Sequence, residues 1–207
     1  MGQQVDIVGL GCVAVDDLLY VDAYPPPDSK VRVQRRDRQC GGLTATALVA
    51  AARLGATCAY AATLGTDELS LFALERLQAE GVETRYVRRQ PGARPIHSTI
   101  IVDTTNHTRN VFSDPSAFEA AQGGTDLSLV RAARVVLVDH VAPAGQVAGA
   151  RAARQAGIGV VADFEKATGL GFDELLPLVD HLVVPAHFAR RLSERNNLAE
   201  AVLWLLP

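Results

Sequence analysis

From residue 126 onward the chain alternates short apolar runs with longer amphipathic stretches, and few folds accept that rhythm. "RVVLVD" (134–139), "IGVVADF" (158–164) and "HLVVP" (181–185) are apolar at successive positions, which suits strands buried on both faces. Between them, "PAGQVAGARAARQAG" (143–157) and "FDELLPLV" (172–179) carry helical patterns, and one or two further helices close the sequence. The opening "QVDIVGLG" (4–11) is one more buried strand, ended by glycines. Apolar strands alternating with amphipathic helices define an α/β fold, a mostly parallel sheet covered on both faces.

Two segments break the rhythm, near 18–38 and 95–112. "KVRVQRR" (30–36) alternates Val31 and Val33 with polar neighbours, the pattern of a half-exposed strand. "IHSTIIVDTTNHTRNVF" (96–112) predicts a hairpin turning near Thr105–Asn106. Both fit a small, separate sheet. Between them lie a helix opened by Gly41-Gly42, a strand "TCAYAAT" (57–63), and a helix capped by Thr66 that ends before Gly81. "VETRYVRR" (82–89) predicts another strand.

The 207 residues suffice for one sizeable domain. A net charge of −3 gives no basic footprint for nucleic acid or an anionic membrane. No apolar run approaches the ~20 residues of a membrane span. "MGQQVDIVGLG" lacks the basic region of a signal peptide, and Asp6 argues against myristoylation. Cys12, Cys40 and Cys58 show no metal-ligand spacing, so a reducing cytoplasm is the expected compartment.

In open α/β sheets ligands bind beyond the carboxyl ends of the strands. That rule selects Gly11 to Asp16, Asp139 with His140, and Asp163. It also selects the Gly41-Gly42 turn, where a helix N-terminus offers N–H groups and Thr44 and Thr46 add hydroxyls. Those glycines serve either a ligand or close packing of the helix. Asp16 and Asp17, adjacent on a strand, face opposite ways, so one is placed to face the crevice, where a carboxylate suits sugar hydroxyls, the alternative being a plain solvated strand-end residue. His97 is a candidate to face a ligand, the alternative being a plain surface histidine. Gly9, Gly11 and Ala14 spell G-x-G-x-x-A, but no helix opens at the second glycine, so a dinucleotide site is excluded. There is no G-x-S-x-G elbow and no G-x-x-x-x-G-K-[ST] loop.

Taken in order, "VDIVGLGCVAVDDLLYVDAYP", "CGGLTATALVAAARLGATCAYAATLGTDE" and "LQAEGVET" resemble the ribokinase-like (PfkB) family of carbohydrate kinases, the likeness running from residue 5 to 207. With "STIIVDT" they look nearest to its ketohexokinase and sulfofructose-kinase branches. The resemblance implies a three-layer, doubly wound α/β/α domain over 1–207, with lid segments at about 16–38 and 94–112. It implies ATP-dependent phosphorylation of a sugar hydroxyl, ATP and Mg2+ as cofactors, and a possible homodimer through the lid. Asp16, Gly41, Gly42, Thr46, His97 and Asp163 become the candidate substrate residues, Thr46 standing where many members have Asn.

Two departures set limits on that expectation. Many members follow the strand "HLVV" with N-x-x-E, linked to magnesium and phosphate; Pro185 and Phe188 stand there. The family's D-T-x-G-x-G-D, which supplies an anion hole and the catalytic Asp, occurs nowhere in the sequence, and "GGTD" (123–126) has neither its spacing nor its position. The expectation is therefore an incomplete domain, inactive by itself and without a catalytic residue of its own. The alternative is a non-catalytic remnant that binds sugar or dimerises. Lys30, Arg94, His97 and Arg109 lie on or near the lid, where a cationic set suits a phosphorylated or sulfonated sugar and solvated side chains are the plainer reading.

Overall fold

The central strands of the larger sheet are covered on both sides by helices. A computed structural model describes residues 5–118, 125–167 and 169–205. The first half runs β1 (Val5–Gly9), β2 (Ala14–Val21), β3 (Arg35–Gly41), α1 (Leu43–Arg53), β4 (Cys58–Tyr60), β5 (Thr63–Leu64), α2 (Glu68–Ala79), β6 (Arg88–Arg89), β7 (Ile96–Asp103) and β8 (Thr108–Asp114). The second runs α3 (Leu127–Ala132), β9 (Ala133–Asp139), α4 (Ala144–Gln155), β10 (Gly159–Asp163), α5 (Phe172–Leu175), β11 (His181–Val183), α6 (Ala186–Ser193) and α7 (Leu198–Leu205).

Five strands pair in the order β11-β10-β9-β1-β4, all parallel. Val136 and Val138 of β9 join Leu10, Val130, Val147, Ala150 and Phe188 in one core. Leu137 between them turns into the other core with Ala45, Leu48, Tyr60 and Leu77. A continuous apolar run is thus divided by the pleat between two helical layers, giving the doubly wound arrangement.

Four strands form a second sheet in the order β3-β2-β7-β8. β3 pairs antiparallel with β2 from Ala14↔Gly41 to Tyr20↔Arg35, and β7 runs parallel to β2 from Ala14↔Ile96 to Val21↔Asp103. Its edges are guarded by charge: β3 carries Arg35, Arg36, Asp37 and Arg38, and β8 is exposed along its length. Asp103 ends β7 by accepting from Tyr24 N, Asn106 N and Asn106 Nδ2 at 3.0, 2.8 and 2.9 Å. Those bonds hold its carboxyl down at a pKa of about 2, the Asn106 side-chain bond foremost.

Three local expectations change. The strand predicted at 30–36 lies at 35–41, because the ladder runs back from Gly41 only until β2 ends, and Val31 is left exposed in the connection. The run at 82–89 gives only Arg88–Arg89 paired with Thr63–Leu64, and a bridge at Glu83. The cap of α2 is Asp67, whose carboxylate accepts from Leu69 N and Ser70 N, rather than Thr66. The first two residues of "GGTD", Gly123 and Gly124, lie outside the described residues.

Candidate functional site

A cleft of about 1040 Å³ lies between the inner face of the small sheet and the carboxyl ends of the parallel strands. Asp16, Gly41, Gly42, Thr46 and Asp163 all line it. The sheet register explains part of that convergence. Asp16 sits opposite Gln39 on β3 and Ser98 on β7, so the pleat turns Asp16 and Ser98 to one face together. Ser98, buried, hydrogen-bonds the Asp16 carboxyl. Burial raises the Asp16 pKa above its ordinary 3.8 and outweighs the Ser98 bond and the charges of His97 and Arg109, which pull the other way. Asp163, at the end of β10, is raised chiefly by burial and then by the neighbouring Glu165 and Asp139 charges.

His97 is not brought to the cleft. Its neighbour Ser98 faces inward, so His97 faces out, with Nε2 2.8 Å from Asp17 Oδ2. Asp17 also accepts from Arg38 Nε and Nη2 at 2.7 and 3.2 Å, and Arg38 Nη1 reaches Glu68 of α2 at 2.7 Å. The adjacent aspartates therefore divide the work. Asp16 is presented to the cleft, while Asp17 anchors the back of the sheet to the body.

The glycine pair answers to the protein's own chain as well as to the cleft. Gly42 has φ +96, and a Cβ there would lie 2.7 Å from Val13 Cα and 2.9 Å from the Cys12 carbonyl oxygen. On Gly41 a Cβ would lie 2.6 Å from Asp16 Oδ2. The first N–H groups of α1 are partly engaged within the chain. Leu43 and Thr44 N–H face the Cys12 sulfur, Ala45 N donates to Cys12 O at 3.1 Å, and Thr46 N donates to Gly42 O at 2.9 Å. What the cleft receives is glycine backbone and the exposed Thr46 side chain.

Asp139 has a structural place. Its buried carboxylate accepts from Cys12 N at 2.6 Å, Thr44 Oγ1 at 2.7 Å and Val141 N at 2.9 Å. A Cβ on Gly11 would lie 2.1 Å from the same carboxylate, and one on Gly9 would meet Leu48 and Thr44 at 2.6 Å. The glycines of the G-x-G-x-x-A string thus admit α1 and Asp139 to β1. Buried Gln146 closes the loop, donating to Asp139 O and Val141 O at 3.0 and 2.7 Å.

His140 lines the cleft, its Nδ1 accepting from Glu165 N at 3.3 Å. Ser98, Glu165, Lys166 and Phe118 also line it without having been singled out in the sequence. Ser98 becomes visible only through the β2–β7 register, and the others lie in connections with no periodic signal. Of the four basic lid candidates, Arg109 alone reaches the cleft.

Pro185 precedes α6, and Phe188 is fully buried with its ring edge-on to Phe172 at 6.4 Å. Neither side chain offers an oxygen to a cation. Among the described residues no three His, Cys, Asp or Glu side chains converge as a metal site, and no helix is long and apolar enough to cross a membrane. Pro185 and Phe188 therefore do not fit the part that N-x-x-E plays in holding Mg2+.

A doubly wound parallel sheet with a cleft at its carboxyl edge, roofed by a small half-exposed sheet, defines a ribokinase-like protein. The chain belongs to the pfkB family of carbohydrate kinases, whose profile matches residues 6–206. Mouse ketohexokinase is 27% identical over 109 residues, 53% of this chain and 37% of that protein. Staphylococcus aureus ribokinase is 29% identical over 98 residues, 47% of this chain and 32% of its own length. The matched stretches thus span about a third of these curated relatives. Arabidopsis thaliana ribokinase, solved with ribose and ATP, superposes with a TM-score of 0.80 at 20% identity, covering 98% of this chain and 69% of that one. Xylella fastidiosa fructokinase with bound ATP gives 0.76 at 16%, covering 97% and 68%. At these identities the likeness is one of fold.

Proposed function

We propose that the protein this chain represents phosphorylates a hydroxyl of a sugar or sugar derivative with ATP, and that the described residues form its sugar-holding part. The observation that carries the reading is the convergence of Asp16, Gly41, Gly42 and Asp163 on one cleft at the carboxyl edge of the sheet. Ionised Asp16 accepts hydrogen bonds from sugar hydroxyls, and Ser98 orients its carboxyl. Gly41 leaves room for a ring beside that carboxylate, and Thr46 adds a hydroxyl at the wall. Ile96 and Phe118 supply an apolar patch on which a ring face rests. ATP, as in the two ATP-bound neighbours, is the donor we assign.

Transfer also needs an acceptor for the hydroxyl proton and donors aimed at the moving phosphoryl group. The sequence carries no D-T-x-G-x-G-D to supply them, so these 207 residues are expected to bind sugar without turnover. Calorimetry with a panel of pentoses, hexoses and their derivatives, alongside an ADP-release assay, tests both halves. Sugar binding with no ADP release supports the reading. Failure to bind any sugar sinks the first half, and ADP release sinks the second. Should the coding sequence continue into that motif, the longer product is expected to release ADP.

One observation favours a dimer through the lid. Leu18, Tyr20, Ile100 and Val102 share the inner face of the small sheet and line a cavity of about 750 Å³ beside Asp16. Val111, opposite Ile100, is 51% exposed on the same face. A second copy would cover this stripe, and sedimentation of a Val111→Lys variant as monomer against a wild-type dimer is the test. A cytoplasmic location, suggested by three free cysteines, belongs to the same proposal.

A further inference from the structure

A second cavity lies behind the Gly41–Thr46 wall of the cleft, between β3, α1 and α2. It encloses about 360 Å³, within the ~300–1,000 Å³ of small-molecule sites. Arg38 from β3, Arg53 from α1 and Arg76 from α2 line it, against one carboxylate, Glu80. Two of these guanidinium groups are already held. Arg38 bonds Asp17 and Glu68, and Arg53 forks onto Glu80 at 2.7 and 2.5 Å. Arg76 has no carboxylate partner among the described residues. Its guanidinium rests over the Phe72 ring, 5.4 Å from the centroid. Its charge reaches Cys40, another lining residue, where it opposes the burial that pushes the thiol up to about 11.

We propose that this cavity is a binding site for a small oxyanion, a phosphate- or carboxylate-bearing metabolite, with Arg76 as the cation that takes it. An arginine fork matches both groups bidentately. A guanidinium has five N–H donors, so the two paired arginines keep further hydrogens for the anion without leaving their partners. Ala45, Val49 and Leu77 give the cavity an apolar wall, which lowers the local dielectric and strengthens the attraction. The cavity does not depend on the sugar reading. Gly41 and Thr46 nevertheless line both spaces, so an anion here touches the wall of the cleft.

The test is an NMR titration of the 15N-labelled protein with inorganic phosphate at constant ionic strength. Saturating shifts at Cys40, Gly41 and Thr46 are expected, absent with chloride, and weakened at least tenfold by Arg76→Ala. Arg76 is exposed, so the variant is expected to fold; Arg76→Gln replaces it if circular dichroism shows otherwise. Shifts that persist without Arg76, or that vanish instead in Arg109→Ala, place phosphate elsewhere and overturn the proposal. So does failure to saturate by about 20 mM, beyond the ~1 mM of a weak specific site.

Discussion

The two sheets of this molecule follow opposite rules. The parallel sheet is apolar on both faces and its residues hold each other, down to an aspartate, Asp139, spent on tying β9 to the Cys12 loop. The small sheet is half exposed, edged by arginines, and presents the half-buried carboxyl of Asp16 to the cleft. On the proposed reading stability resides chiefly in the first, while recognition draws on the second together with Asp163 at the end of β10. Substitutions should therefore separate the two properties.

The largest effects are expected in the parallel sheet and its helices. Phe188→Ala should cost about 3–5 kcal/mol in urea unfolding, since the ring is fully buried in an aromatic cluster. Asp139→Ala, which leaves Cys12 N, Thr44 Oγ1 and Val141 N without their acceptor, should cost on the order of 3 kcal/mol. In the small sheet, Asp16→Asn should weaken sugar binding at least tenfold while the melting temperature holds or rises. The sign follows from its raised pKa. A carboxyl that is harder to ionise when folded opposes folding at neutral pH, and the opposition fades as pH falls through the raised value. Binding should move the other way. It should decline on acidification earlier than a carboxyl of pKa 3.8 would dictate, read by calorimetry between about pH 7 and 4. His97→Gln should change affinity less than twofold, because its ring faces Asp17 on the far side.

How much of this was legible follows the same division. The apolar runs around Val136 and Val160 announced the parallel sheet, since burial on both faces leaves an uninterrupted signal; the run around Leu182, expected to be buried in the same way, lies instead at the sheet edge with Val183 58% exposed. The strand at 35–41 did not announce itself, because "RRDRQCG" is mostly exposed on both faces and has no apolar period to read. As cleft-lining residues Gly41 and Asp163 were readable from their places at strand ends, and Asp16 from following β1. Ser98 was not, as its role depends on a register between strands some eighty residues apart. His97 fell on the wrong side because one residue of register decides which face a strand side chain takes. At the helix N-terminus behind Gly42 one donor, Ala45 N, is used by the carbonyl of Cys12, a residue distant in sequence, which no local pattern announces.

The most direct measurement is sugar affinity in two variants of adjacent residues, Asp16→Asn and Asp17→Asn, by calorimetry on the panel above. The inner face is expected to carry recognition, so Asp16→Asn should lose at least tenfold in affinity and Asp17→Asn should stay within about threefold of wild type. Equal losses, or a loss confined to Asp17→Asn, would contradict the assignment of recognition to the inner face of the small sheet.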